Sequence, residues 1–302
     1  MKIAISVGSA YYDGSNWEDL VELVKFADRN GVDYAWSAEA WGMDAVTPLA
    51  YLAALTENIR LGTGIMQTSA RTPAAAAMTA LSLARISNNR FILGLGVSGP
   101  QVVEGLHGAP FDRPLGRLRE YITIIRQGIA GERITLDGEH YVLPRPGGEG
   151  KALRLGVPPN PDIPIYLATL GPKMLELTGE LADGWVGTSF IPESSDDVLG
   201  HLRAGAERAG RTLSDLDLQV NATIEISDDV ERLIAKYKRT AAFTLGAMGS
   251  AENFHIIETL ADQLGVFLHR IIGEQFFAID GLERHARQPP RHQDLRQQQP
   301  AA

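Results

Sequence analysis

The sequence predicts an α/β protein built as a (β/α)8 barrel, with an insertion after its fourth helix and an eighth unit missing or altered. Three observations predict it. Short β-branched apolar runs alternate with segments of helical period along most of the chain. The strand-like runs do not alternate polar with apolar residues, so both faces are buried, as in a parallel sheet covered by helices. The chain has 302 residues, against about 250 for a typical barrel of this kind. The structural alternative is an open, doubly wound sheet.

Residues 3–7 form the first strand, and Trp17 to Arg29 the first helix, with Leu20, Leu23, Val24 and Ala27 on one face and Ser15 and Glu18 at capping-box spacing. VDYAWSA (32–38) is the second strand. Its helix, 47–57, is expected to open at Thr47 with Pro48 as the first helical residue, where no N–H is needed. IRLGTGI (59–65) leads to a helix from Pro73 to about Ser87, and FILGLGV (91–97) to a helix over about 115–128. Residues 130–162 interrupt the rhythm with a hairpin turn at Asp137-Gly138 and a stretch rich in Gly and Pro, which marks the insertion. Strands at 162–169, 183–190 and 217–227 follow, with helices at 171–182, 195–210 and from 228 onward.

The barrel domain is expected to span 1–249. Residues 250–280 are apolar without a clear strand-helix pair. The segment 281–302 carries four arginines against two acids, with many glutamines and few large aliphatic residues, and is expected to be a disordered tail.

The chain carries 37 acidic against 28 basic residues, a formal charge of -9. That balance disfavours a nucleic-acid surface, which must attract phosphates. No cysteine is present, which removes disulfides, thiolate metal sites and cysteine nucleophiles. No metal site is expected either, because His107 and His140 lack partners at ligand spacing. No apolar run is long enough to span lipid, so no membrane association and a cytoplasmic location are expected.

In a barrel the functional groups lie beyond the C-terminal ends of the strands. Glu39 follows the second strand, with Trp41 and Asp44 close behind. It is the candidate catalytic residue, as a proton carrier or as an orienting group. The glycine-rich loop after the fourth strand brings Ser98, Gly99, Pro100 and Gln101 to the same rim. Thr169 ends the fifth strand, and Gly171 and Pro172 open a helix whose free N–H groups, with Lys173, suit a phosphate.

The segments AEAWGMDAVTPLAYLA, ENIRLGTGIMQTSARTPAAAAMTALSL, RFILGLGVSGPQVVEGLHG, GEHYVLP and PIYLATLGPKMLELTGELADGW occur in that order. Together they resemble the luciferase-like monooxygenase superfamily, most closely its branch of deazaflavin-dependent oxidoreductases similar to methylenetetrahydromethanopterin reductase. The resemblance implies a flavin-like ring at the C-terminal face of a barrel, with coenzyme F420 as cofactor and FMN as the alternative. It implies a non-proline cis peptide under the ring, which falls here at Gly64-Ile65. Thr63, Met66 and Gln67 then line the cofactor pocket, while Gly99, Pro100, Gln101 and Gly171 to Lys173 meet its polar parts.

The implied activity is hydride transfer between the deazaflavin and a small organic substrate, pterin-like or otherwise electron-poor. An FMN-dependent monooxygenase and a catalytically impaired cofactor-binding barrel are the alternatives, and a homodimer stays open as the assembly. A related sugar-phosphate dehydrogenase group has histidine where this chain has Glu39, which argues against glucose 6-phosphate as substrate. The pattern fades after about Phe254 as the composition changes, which predicts an altered gene end.

Overall fold

The computed structural model describes residues 1–7, 16–187, 190, 192, 195–222, 227–229 and 231–232. The sequence expectations for Ser15, the segment 250–280, the tail 281–302 and the eighth βα unit lie outside the described residues. The chain divides into two units, Met1–Ile224 and Glu225–Ala302. Within the second, the Asp229 carboxylate accepts the Arg232 N–H at 3.0 Å.

The first unit begins β1 (Ala4–Ser6), α1 (Trp17–Arg29), β2 (Tyr34–Ser37), α2 (Val46–Ala53), β3 (Arg60–Thr63), β4 (Met66–Gln67) and α3 (Pro73–Ile86). Then come β5 (Phe91–Gly96), α4 (Pro100–Val103), α5 (Pro114–Ile129), and the antiparallel pair β6 (Leu136–Asp137) and β7 (Val142–Leu143). It continues with β8 (Ile165–Leu167), α6 (Pro172–Leu181), β9 (Gly184–Gly187), α7 (Ser195–Arg208) and β10 (Asp217–Val220). The main strands lie side by side in the order β1-β2-β3-β5-β8-β9-β10, all parallel, and β4 also pairs with β5.

The two faces of the sheet are both apolar but differ in what they meet. Ala35, Leu61, Phe91, Leu93, Leu95, Ile165 and Leu167 pack against the helices. Their sequence neighbours Tyr34, Trp36, Ile92, Tyr166 and Val186 pack against one another on the opposite face. Bonds cross that second face directly: Trp36 Nε1 donates to Gln219 at 2.8 Å, and the Tyr34 hydroxyl donates to Asp217 at 2.6 Å. Lys2 Nζ and the Tyr166 hydroxyl reach the same Asp217 oxygen at 3.1 and 2.7 Å. Side chains from the first strands thus meet the last described strand, so the parallel sheet is curled. An unreversed strand order with a packed concave face is barrel-like and excludes the doubly wound alternative.

Three local readings need correction. The second helix starts at Val46, not at Thr47 and Pro48, because Asp44 Oδ1 accepts the N–H groups of Val46 and Thr47, both at 2.8 Å. It stops at Ala53 instead of continuing to 57. The Arg90 guanidinium takes the carbonyls of Ala53, Thr56 and Ile59, and the buried Asp28 carboxylate takes the N–H groups of Glu57, Asn58 and Ile59. Those contacts satisfy the chain ends that further helix would otherwise satisfy. The third strand, read as continuous over 59–65, is broken after Thr63. Among the described residues, no helix is long and apolar enough to cross a membrane.

Candidate functional site

The break in the third strand is the centre of the candidate site. Gly64 and Ile65 are joined by a cis peptide bond, as the family resemblance implied. The break is tied to the end of β2 on both sides. Gly64 N–H donates to Ser37 O at 2.7 Å, and Glu39 N–H donates to Ile65 O at 3.1 Å. Close approach favours glycine at two neighbouring positions. A Cβ on Gly64 would stand 3.0 Å from that of Trp36, and one on Gly96 would stand 2.9 Å from the Ile65 side chain. Below the break the Thr63 hydroxyl replaces the lost strand ladder: it accepts Gly94 N–H at 2.9 Å and donates to Gly94 O at 2.7 Å.

Glu39 lies beside this bulge, with only 9% of its side chain exposed. Arg71 Nη1 reaches both of its carboxylate oxygens at 2.7 Å, and Gln67 N–H donates to Oε2 at 2.9 Å. A carboxylate so engaged is built to orient what surrounds it. Gln67 is fully buried and donates its side-chain amide to Glu39 O at 3.0 Å and Ala40 O at 2.9 Å. Met66 is also fully buried, in the core between sheet and helices.

The other sequence-designated residues divide by location. Ser98, with φ of 60°, and Gly99 lead from β5 into α4, so Pro100 and Gln101 occupy the first turn of a one-turn helix. Thr169 is buried, its hydroxyl 2.7 Å from that of Thr178 and its carbonyl bonded to Trp185 Nε1. Gly171 is the N-cap of α6, with no heavy atom within 4 Å of where a Cβ would stand. Lys173 extends along the same helix to Glu176, at 3.1 Å, which also receives Arg208. The structure therefore brings Glu39, Gly64, Ile65 and Gln67 together, while Lys173 pairs within the helical layer.

Next to the bulge is a cavity of about 330 Å³ lined by residues 68–72, by Val97 and Val103, and by Phe111, Asp112, Arg117 and Tyr141 among others. Two buried donors in its wall, Ser69 Oγ and Arg117 Nε, have no hydrogen-bond partner among the described residues. Arg117 Nη2 donates to Asp112 at 2.8 Å. Burial raises the Tyr141 phenol above its ordinary range, and the adjacent Arg117 pulls it the other way. Tyr141 comes from the β6–β7 hairpin, which is fastened to α5 by one carboxylate. Glu120 accepts the N–H groups of Glu139, His140 and Tyr141 at 2.8, 2.9 and 2.8 Å.

Sequence reasoning missed Arg71, which carried no signal beyond lying in a family segment. It also gave no role to His107, whose Nε2 lies 3.2 Å from Gln67 Oε1.

The chain matches the luciferase-like monooxygenase family over residues 1–302. It is 44% identical over 264 residues to Rv3520c of Mycobacterium tuberculosis, named as a coenzyme F420-dependent oxidoreductase, covering 84% of this chain and 76% of that one. It is 33% identical over 225 residues to the 5,10-methylenetetrahydromethanopterin reductase of Methanolobus tindarius, covering 74% of this chain and 66% of the reductase. In fold it is similar to the coenzyme F420-dependent tetrahydromethanopterin reductase of Methanopyrus kandleri, with a TM-score of 0.74 at 24% identity over 90% of this chain and 78% of that one. The chain belongs to the luciferase-like monooxygenase family, in its branch of coenzyme F420-dependent oxidoreductases.

Proposed function

We propose that this protein is an oxidoreductase that transfers a hydride between coenzyme F420 and a small organic substrate with an electron-poor centre, pterin-like or related. The observation that carries this reading is the Gly64-Ile65 bulge, held at the rim by Ser37, Glu39 and Gln67 beside a cavity with unpaired buried donors. Those donors fit an anionic cofactor, since Ser69 Oγ and Arg117 Nε offer hydrogen bonds that no described residue accepts.

The deazaflavin, when bound, supplies the hydride chemistry at its ring carbon. The chain binds and orients. Gly64 and Ile65 form the floor for the ring, Gln67 fixes that floor, and Ser98, Gly99, Pro100 and Gln101 border it. Val97, Val103 and Phe111 keep water from its apolar side. Glu39 acts with Arg71 as a positioning carboxylate for the bulge.

Titration of the purified protein with oxidised coenzyme F420 and with FMN tests the reading. Tight binding of the deazaflavin and weak binding of FMN is the expected result. The reverse preference would replace the reading with an FMN-dependent monooxygenase. Deazaflavin binding without hydride transfer to any member of a pterin and nitro-compound panel would favour an impaired binding barrel.

Two variants locate the acidic part of the cofactor. Gly171→Ala meets open space at an ordinary φ of -74°, so it should cost less than about 1 kcal/mol of stability. If the α6 N-terminus holds phosphate, this variant lowers cofactor affinity; if the cavity does, Arg117→Ala lowers it instead. Unchanged affinity in both would remove both phosphate positions.

A further inference from the structure

The Gln67 side chain is engaged at both ends. Its amide nitrogen donates to Glu39 O and Ala40 O, so both N–H groups are used. That fixes the amide oxygen as the end facing His107 Nε2, 3.2 Å away. An amide oxygen only accepts, so the imidazole must present Nε2–H, in either its neutral or its charged form. Gln67 is fully buried beneath the exposed His107, so the imidazole both bonds the amide oxygen and covers it.

His107 is well placed to hold it. Its backbone N–H donates to Val102 O at 3.1 Å, and Val102 is a buried residue of α4. The residue therefore links α4, through its backbone, to the segment that follows the bulge, through its imidazole. A second link is short and made by the backbone: Thr68 N–H donates to Gly96 O at 3.0 Å.

We infer that His107 is a positioning residue that holds Gln67, and through it the Gly64-Ile65 bulge and the 39–40 turn, against the α4 wall of the cofactor site. Loss of the imidazole removes that donor and its cover, and opens the amide oxygen to solvent. Gln67 is then held from one end alone, by the carbonyls of Glu39 and Ala40. The role in cofactor binding rests on the function proposed above; the role in holding the bulge does not.

The experiment compares His107→Leu with His107→Gln, whose amide nitrogen reaches nearly the position of Nε2. Two readouts are taken: coenzyme F420 affinity by fluorescence titration, and backbone amide exchange across residues 64–70 in cofactor-free protein. His107→Leu should weaken affinity about tenfold and speed that exchange by a similar factor, while His107→Gln restores both to within about threefold of wild type. Normal exchange and affinity in His107→Leu would overturn the inference. So would a failure of His107→Gln to rescue, or exchange that rises equally in β8 and β9, which marks general destabilisation. If the wild type binds no deazaflavin, the proposed function fails, and the exchange measurement still decides whether His107 holds the bulge.

Discussion

Arg71→Ala is expected to destabilise the protein by about 3 kcal/mol, the scale seen when one partner of a buried ion pair is removed, and to abolish tight cofactor binding. The reason is what it leaves behind. Glu39 is 91% shielded on its side chain by the complementary figure of 9% exposure, and Arg71 Nη1 contacts both of its oxygens. Without the guanidinium, a buried carboxylate keeps one N–H donor, from Gln67, and the strain of accommodating it falls on the bulge. Arg71→Lys should recover only part of the loss, because an ammonium that reaches Glu39 gives up the second nitrogen, which lies 3.9 Å from Asp44. The decisive comparison is the double variant Arg71→Ala/Glu39→Gln. It removes the uncompensated charge, so it should be more stable than Arg71→Ala alone in urea denaturation. A double variant that loses the simple sum of the two single effects would show that the pair is not coupled.

Gly94→Ala should be at least as damaging, at about 3 kcal/mol or more, although it adds a single methyl group. A Cβ there would overlap the Thr63 carbonyl oxygen, a backbone atom of the neighbouring strand. The clash has no flexible side chain to absorb it. Relief requires β3 and β5 to separate where the Thr63 hydroxyl makes its two bonds to Gly94. Gly171→Ala is the control, since the same chemical change there meets open space. Denaturation midpoints for the two variants should differ widely; similar midpoints would mean that the strands yield at no cost.

Much of the architecture was legible because it depends on local period. Strands buried on both faces, such as 91–96 with every residue buried, announce themselves as continuous apolar runs. Pro73 after Thr72 marks a helix start that the structure shows, with Thr72 Oγ1 accepting Ala75 N–H. The ends of elements were less legible where distant side chains set them. Helix α2 ends against Arg90 and Asp28, contributed by residues about thirty positions or more away along the chain. The same physics hid Arg71, which is 32 residues from Glu39: nothing local to either residue signals the pairing. The bulge at Gly64-Ile65 was legible only through family resemblance, because a Gly-Ile pair has no distinctive period or turn chemistry. Lys173 shows the converse situation. A lysine in the first turn of a helix suits an anion, and the structure also gives it a glutamate three residues on.

The fastening of the β6–β7 hairpin has a consequence for how this protein can change. Glu120 grips three successive N–H groups just before β7, and a Cβ on Gly138 would overlap that same carboxylate. The cavity wall at Tyr141 is therefore anchored before the chain enters the irregular stretch from Pro144 to Ile163. Length and composition in its exposed first part, 144–151, are free to drift without moving the wall, while Leu153, Leu155 and Asn160 tie the chain back to Ile134, the core and Ile129. The hairpin thus separates a part of the sequence that the site constrains from one that insertions and deletions can remodel.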